Sequence, residues 1–465
     1  MSLMEKVIPD FMRKHKYIQL PSKTNVVVSS LLLSLFFCFV PVLGSFAQND
    51  SVVKSLVLQY NSATGKAKKR LSQEIIRLNP TFDVVYKSIE NPSFSNDVQR
   101  GFLDYPVVTA NGLQHPNIVF VPNDYDPQKS YRVRLSLHGA VSSPDPNRVH
   151  LYVNKADTGW ASVQELVLFP AAWSFSQWTD KSQYENIAAL LTFIKQTYNV
   201  DDNGVYIVGV SDGGVGTYHI AGRYPTPFAS FVPFIGSLEP LFWIGTSPYY
   251  LRSYSSLPFF IVNTVNDPIF KFDVAHAYVS ALKKQGGPTS FFKVDTCGHN
   301  LNWYPVLKDT IRSFTKTMRR NPFPETVTFS ADTTHDYNRK FWVEIIELGQ
   351  VKGESVLDDP NVVTIAGQVY PAFRHDRKFG QIEARKVANR VDVKTSGVKR
   401  FRLLISSTSF DLTQPIEVYT NGILSFNSIV LPNVKTLLEY NMKDCDREML
   451  IGAVLEVKVG KGIKR

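Results

Sequence analysis

Between residues 117 and 318 the chain alternates apolar runs of strand length with amphipathic runs of helix length, and this alternation restricts the fold more than any other feature. The segments "NIVFVP" (117–122), "YRVRLSL" (131–137), "LVLFP" (166–170), "VYIVG" (205–209), "FASFVPFIG" (228–236), "PFFIVNT" (258–264) and "SFFKVD" (290–295) read as strands. Interleaved with them are the helical segments "SQYENIAALLTFIKQTY" (182–198), "GGVGTYHIAGRY" (213–224), "VAHAYVSALKKQ" (274–285) and "PVLKDTIRSFTKTM" (305–318). In the first of these, Ile187, Leu190, Leu191 and Ile194 form one apolar face, and Ser182 with Glu185 reads as a capping box. Strands that alternate with helices predict an α/β fold, a mainly parallel sheet covered on both faces.

The flanks read differently. In residues 48–99, Leu71, Ile75 and Leu78 recur at i, i+4 and i+7 before Asn79-Pro80 stops the pattern, and "TFDVVYKSI" (81–89) suggests a second short helix. This helical region is expected to pack on the domain that follows. At "RRNPFPET" (319–326), Pro322 and Pro324 cannot continue a helix, so the stretch reads as a linker. Strand-like runs then take over: "KFWVEIIEL" (340–348), "VVTIAGQVY" (362–370), "RFRLLISS" (400–407), "PIEVYTNGILSF" (415–426) and "LIGAVLEVKV" (450–459). Asn421-Gly422 marks a hairpin. The expected organisation is a helical region over 48–99, an α/β domain over 100–320 and an all-β, sandwich-like domain over 327–465.

The first 47 residues read as a signal peptide. Arg13, Lys14, Lys16 and Lys23 precede the apolar run Val26–Leu43, and Ser45 and Ala47 stand at the spacing a signal peptidase accepts. The run is just long enough to span a bilayer, but Pro41 and the cleavage pattern favour removal after Ala47. The remainder is then expected in the periplasm or outside the cell, with no stable membrane insertion. The formal net charge is +10, but apart from "KAKKR" (66–70) and "KGIKR" (461–465) the basic residues are dispersed, so no nucleic-acid partner is expected. Of three cysteines, Cys38 lies in the leader without a lipobox. Cys297 and Cys445 leave a disulfide open, and no spacing suggests a metal site. Oligomeric state is not legible.

Chemistry is concentrated in four short stretches. "GVSDGG" (209–214) puts Ser211 where a β-branched strand turns into a helix. Such a turn holds the serine in a strained conformation, clear of the sheet, at a helix N-terminus whose partial positive charge favours developing negative charge. Gly-x-Ser-x-Gly alone is only a glycine-rich turn until a base and an acid are found. Among nine histidines, His299 in "DTCGHNLNW" follows a strand and Gly298, which places it at the carboxyl edge of a parallel sheet, with Ser211. Asp267 lies three residues beyond a strand end in "FFIVNTVNDPIF" and is the expected acid, ahead of Asp273, near a helix start, and Asp295, read as still in its strand. Oxyanion donors are expected from the N–H of Asp212 and from Gly139 or Ala140 in "RLSLHGAVSS", with His138 bracing that loop.

Together "LHGA", "GVSDGG", "NTVNDP" and "CGHN" resemble the α/β-hydrolase superfamily over about residues 100–320, most closely exported bacterial esterases and prolyl-oligopeptidase-like serine hydrolases. Two departures are that "HGA" replaces a longer glycine run and that Pro268 follows the acid. The resemblance implies an exported serine hydrolase cleaving a carboxylic ester, small or glycan-linked, through an acyl-enzyme, with no metal or organic cofactor. A serine peptidase, or a non-catalytic glycan- or partner-binding protein on the same fold, are the alternatives. Aromatic residues crowd the loops at this edge, and Trp173, Trp178, Trp243 and Trp303 either wall a substrate pocket or pack as core. The C-terminal "YNRKFWVEI" and "PIEVYTNG" resemble β-domains appended to uncharacterised exported hydrolases.

Overall fold

The computed structural model describes residues 50–155, 158–244, 249–349, 361–374 and 378–460. The leader, the basic cluster at 461–465 and His375 lie outside the described residues.

Three helices open the described chain: α1 (50–62), α2 (Gly65–Arg77) and α3 (Phe82–Glu90). An eight-stranded sheet follows, formed by β1 (Gly101–Val108), β2 (Gln114–Val121), β3 (Tyr131–Leu137), β4 (Leu166–Phe169), β5 (Val200–Val210), β6 (Ser230–Phe234), β7 (Phe259–Thr264) and β8 (Thr289–Val294). Its order is β1-β2-β4-β3-β5-β6-β7-β8. The six strands from β4 to β8 are parallel, while β1 and β2 add an antiparallel edge. Helices α4 (Lys181–Thr197), α5 (Asp212–Arg223), α6 (Pro240–Ile244), α7 (Phe272–Lys283) and α8 (Tyr304–Thr317) follow β4, β5, β6, β7 and β8. Val133, Leu135, Ile207, Phe231 and Ile261 are wholly buried, as expected for central strands covered on both faces. Strand β1 was not anticipated from the sequence: it carries Asp104 and Pro106, residue types that strands disfavour, and it lies at the edge of the sheet.

Local expectations need correction at several points. Ser182 and Glu185 do not cap α4, which begins at Lys181 with Asp180 as its N-cap. Both side chains have tertiary partners instead: Ser182 Oγ lies 2.6 Å from Ser176 Oγ, and Glu185 Oε2 accepts the Ala110 N–H at 2.8 Å. Asp295 falls just beyond β8, exposed and paired with Lys293 at 2.8 Å. Cys297 and Cys445 are free thiols.

Past residue 325 two sheets share one core. Strands β9 (Thr326–Ala331), β14 (Gly380–Val387), β15 (Arg390–Ser396), β17 (Ile416–Thr420) and β18 (Ile423–Ser428) form a five-stranded sheet in the order β18-β17-β15-β14-β9. Strands β10 (Arg339–Lys340), β11 (Val343–Leu348), β16 (Val398–Ile405) and β19 (Ala453–Lys458) form a second. Ile382, Val391 and Val418 of the first cluster with Trp342, Phe401 and Leu403 of the second. The Asn421-Gly422 turn joins β17 to β18 with both residues at positive φ, 50° and 81°. Residues 362–370, read as one strand, are a hairpin of β12 (Val362–Ile365) and β13 (Gln368–Pro371), turning at Ala366-Gly367.

The C-terminal part is not purely β. Helix α9 (Val434–Asp444) interrupts it, and Leu437 and Leu438 pack against Val57, Tyr60, Leu71, Ile75 and Val85. The N-terminal helices therefore bury their apolar faces on this C-terminal helix rather than on the neighbouring α/β sheet. Nor is "RRNPFPET" a free tether. Arg319 pairs with Asp201, Arg320 donates to Asp446 at 2.5 and 2.9 Å, and Phe323 is buried. No helix among the described residues is long and apolar enough to cross a membrane.

Candidate active site

Strand β5 hands the chain to α5 through one residue. Ser211 sits at φ 59°, ψ −120°, a conformation that costs a non-glycine residue about 1–3 kcal/mol. Its neighbours explain why the turn holds. A Cβ on Gly209 would lie 2.0 Å from Gly213 O, and one on Gly213 would lie 2.1 Å from Leu137 O, so strand and helix approach too closely for a side chain at either position. The Ser211 N–H donates to Phe234 O at 3.0 Å and pins the turn to β6.

Two further loops at the same carboxyl edge complete a chain of contacts. His299, in the loop after β8, has Nε2 2.8 Å from Ser211 Oγ and Nδ1 2.8 Å from Asp267 Oδ2. Asp267 is buried, and its other oxygen accepts the N–H groups of Ile269 and Phe270 at 2.8 and 3.0 Å, which fixes the carboxylate plane. Thr264 Oγ1 donates to Gly298 O at 2.8 Å and ties the histidine loop to the end of β7. An ionised carboxylate only accepts, so Nδ1 carries the proton and Nε2 presents its lone pair to the serine hydroxyl. Asp273, the competing acid near a helix start, is exposed within α7.

The loop after β3 passes tightly beside the serine. A Cβ on Gly139 would lie 2.9 Å from Ser211 Cβ, and Ala140 has φ 53°. His138 braces this loop. Its Nδ1–H donates to Gly139 O at 2.8 Å and its Nε2 accepts the Ala172 N–H at 3.2 Å, which defines one neutral tautomer. Burial lowers its pKa and keeps it neutral. Trp178 Nε1–H donates to His138 O at 3.0 Å. A contact the sequence did not reveal runs across the site: Asp212 Oδ2 accepts the Val141 N–H at 3.0 Å, joining the first residue of α5 to this loop. Among the described residues the N–H groups of Gly139, Ala140 and Asp212 donate to no protein acceptor.

A cavity of about 440 Å³ opens beside Ser211, with Leu137, Val149, Tyr152, Phe169, Ile235 and Leu301 among its walls. None of the four tryptophans proposed as walls lines it. Trp173, Trp178 and Trp303 are buried core residues, Trp178 beneath α5 against Gly216 and Trp303 against Phe234. Trp243 is exposed on α6 and bonds Glu239 at 2.6 Å. Aromatic and aliphatic side chains, Tyr152, Phe169 and Leu301 among them, line the cavity instead. No group of three or more His, Cys, Asp or Glu residues with metal-binding proximity occurs among the described residues.

The strand order, with the antiparallel edge, the serine turn after β5 and the histidine after β8, decides the architecture. The fold is that of the α/β hydrolases.

No protein-family model matches the chain. Among curated proteins, a bifunctional acetylxylan esterase/xylanase, XynS20E of Neocallimastix patriciarum, is 25% identical over 177 residues, 36% of this chain and 23% of the relative. The chain thus matches about a quarter of that relative's length. Among solved structures, a thermostable esterase is 22% identical with TM-score 0.38, over 47% of this chain and 63% of the other. A dipeptidyl aminopeptidase IV from Bacteroides ovatus is 15% identical with TM-score 0.40, over 47% and 36%.

Proposed function

We propose that this chain is an exported serine hydrolase that cleaves a carboxylic ester through an acyl-enzyme, with Ser211 as nucleophile, His299 as general base and acid, and Asp267 as the group that orients the imidazole. The observation that carries the reading is the pair of 2.8 Å contacts from Ser211 Oγ through His299 to Asp267 Oδ2. His299 Nε2 takes the hydroxyl proton as Oγ attacks the ester carbon. The tetrahedral oxyanion is received by the Asp212 N–H and by Gly139 or Ala140, and α5 adds its N-terminal dipole. The imidazolium then protonates the departing alkoxide, leaving an acyl-serine. Water repeats the sequence and restores Ser211. Asp267 stabilises the imidazolium without taking its proton. The ester class is supported by the acetylxylan esterase named among the relatives, and export by the leader-like N-terminus.

A fluorophosphonate probe tests the nucleophile. The folded protein is expected to label stoichiometrically and Ser211→Ala not at all. Labelling that persists in Ser211→Ala, or none in the folded wild type, refutes the reading. Faster turnover of a peptide p-nitroanilide than of p-nitrophenyl acetate would overturn the ester assignment while keeping the mechanism.

A further inference from the structure

We propose that the ester carries a bulky, uncharged, apolar group, planar at its best, which seats in the cavity beside Ser211 against Tyr152. This inference rests on the hydrolase reading above and concerns only what that site accepts.

The cavity's chemistry points this way. Leu137 and Phe169 close the ends of β3 and β4, Val149 and Tyr152 come from the short 3-10 helix Pro146–Tyr152, and Leu301 follows the histidine loop. Among the described residues no Asp, Glu, Lys or Arg lines the space. Of its two imidazoles, His299 is engaged with Ser211 and Asp267, and His138 is held neutral between Gly139 and Ala172. A charged substituent entering here loses its hydration and gains no counter-ion. The volume of about 440 Å³ lies within the range of roughly 300–1,000 Å³ typical of pockets for drug-sized ligands, more than a small ester needs. Tyr152 supplies a flat wall. Its ring lies parallel to the His138 imidazole, 9° apart in plane with centroids at 4.7 Å, and it is 43% exposed. A ring already ordered on one face is a ready surface for a second planar group on the other.

Exposed apolar residues also stand on the connections that follow the parallel strands. Two of them, Tyr152 and Leu301, line the cavity itself, while Ile244 and Val306 lie within α6 and α8. Leu151 and Phe175 follow β3 and β4, Trp243 and Ile269 follow β6 and β7, and Leu301 follows β8 and also lines the cavity. Tyr152 and Leu301, both partly exposed at the cavity beside the nucleophile, match a substrate whose apolar part extends past the reacting bond.

The test compares ethyl acetate, benzyl acetate, ethyl 3-phenylpropanoate and monoethyl succinate as substrates of the full chain. Either phenyl ester is expected to show kcat/KM at least tenfold above ethyl acetate, and monoethyl succinate none of that gain. Tyr152→Ala and Leu301→Asp are each expected to shrink the phenyl-to-ethyl ratio at least fivefold; a slowing common to all esters cancels in that ratio. Equal or preferred turnover of ethyl acetate, a gain with the succinate, or a ratio untouched in both variants overturns the inference. If none of these esters turns over, the labelling rates of a long-alkyl and a methyl fluorophosphonate read the same wall, and faster labelling by the methyl probe overturns it. A folded protein that neither turns over nor labels refutes the hydrolase reading instead.

Discussion

Replacing Asp212 by alanine is expected to slow turnover by two to three orders of magnitude, although its carboxylate takes no part in the proton transfers. The argument starts from Ala140, which holds φ 53°, a left-handed conformation costing an alanine about 1–2 kcal/mol. Something in the folded state must offset that cost. The bond from Val141 N–H to Asp212 Oδ2, 3.0 Å long, is placed to do so. A hydrogen bond to a charged group contributes about 1.5–3 kcal/mol, enough to hold the loop and comparable with the strain it opposes. Without the carboxylate the loop relaxes and the Gly139–Ala140 donor leaves the oxyanion. One lost donor costs about 3 kcal/mol, or roughly 10²–10³ in kcat. Asp212→Asn separates geometry from charge: its amide oxygen still accepts the Val141 N–H, while a negative charge is removed from beside a developing oxyanion. The asparagine variant is expected to match or exceed wild type, and the alanine variant to lose kcat with KM little changed. The assay is steady-state hydrolysis of a short p-nitrophenyl ester, normalised by fluorophosphonate titration of active serine. An alanine variant within threefold of wild type, or an asparagine variant as slow as alanine, refutes the staple.

Two stability predictions follow from buried charge and buried histidine. Burial alone would raise the Asp446 pKa, but Arg320 and Lys195 outweigh it and hold the carboxyl well below its usual range; Asp446→Asn leaves Lys195 with an Asp202 that it shares with Arg447, and Arg320 with the neutral acceptors of Asn203 and Thr226, and is expected to cost about 3–5 kcal/mol in urea unfolding, with a loss below 1 kcal/mol refuting the role given to the cluster. Burial depresses His115 to about 4 and His219 to about 3, so the folded state binds fewer protons than the unfolded chain, whose histidines titrate near 6.5. Their stabilisation is complete above about pH 6.5 and is lost as pH falls, by about 1.4 kcal/mol per pH unit for each, down to the folded values; a urea midpoint unchanged between pH 7 and 5, or a drop no shallower in His219→Gln, contradicts this.

The elements legible in the sequence are those whose pattern is set by local physics. The central strands are buried on both faces, so Val205–Val208 and Phe259–Val262 are continuous apolar runs whatever their neighbours are. Asn421-Gly422 demands positive φ and announces its own turn. Strand β1 escapes because only Val107 of its residues is buried and Pro106 argues against a strand unless the edge position is already known. Helix α9 escapes because its apolar face is short, and Leu437 and Leu438 become meaningful only beside the N-terminal helices, more than 340 residues away in sequence. The capping box at Ser182 and Glu185 fails for a related reason: a side chain with a tertiary partner is lost to the local motif that its sequence suggests.

The site divides along the same line. Ser211, Asp267 and His299 can be read because each must stand at the carboxyl end of a parallel strand, and strand ends are visible in one dimension. The glycines at 209 and 213 can be read because strand and helix nearly touch there. What the substrate meets cannot be read in this way. A tryptophan in a loop satisfies equally the need to fill a gap beneath that loop and the need to wall a pocket above it, and the two differ by one side-chain rotation. Trp178 resolves toward the interior because Gly216 leaves room for its ring beneath α5 and His138 O accepts its N–H. That choice in turn ties down the loop on which Gly139 and Ala140 sit, so an aromatic residue absent from the cavity holds the backbone proposed to receive the oxyanion. The sequence points to Asp212 for its N–H and to Trp178 as wall or core, but the bonds by which the two hold this loop, from Val141 N–H to the Asp212 carboxylate and from the Trp178 indole to His138 O, are not legible in it.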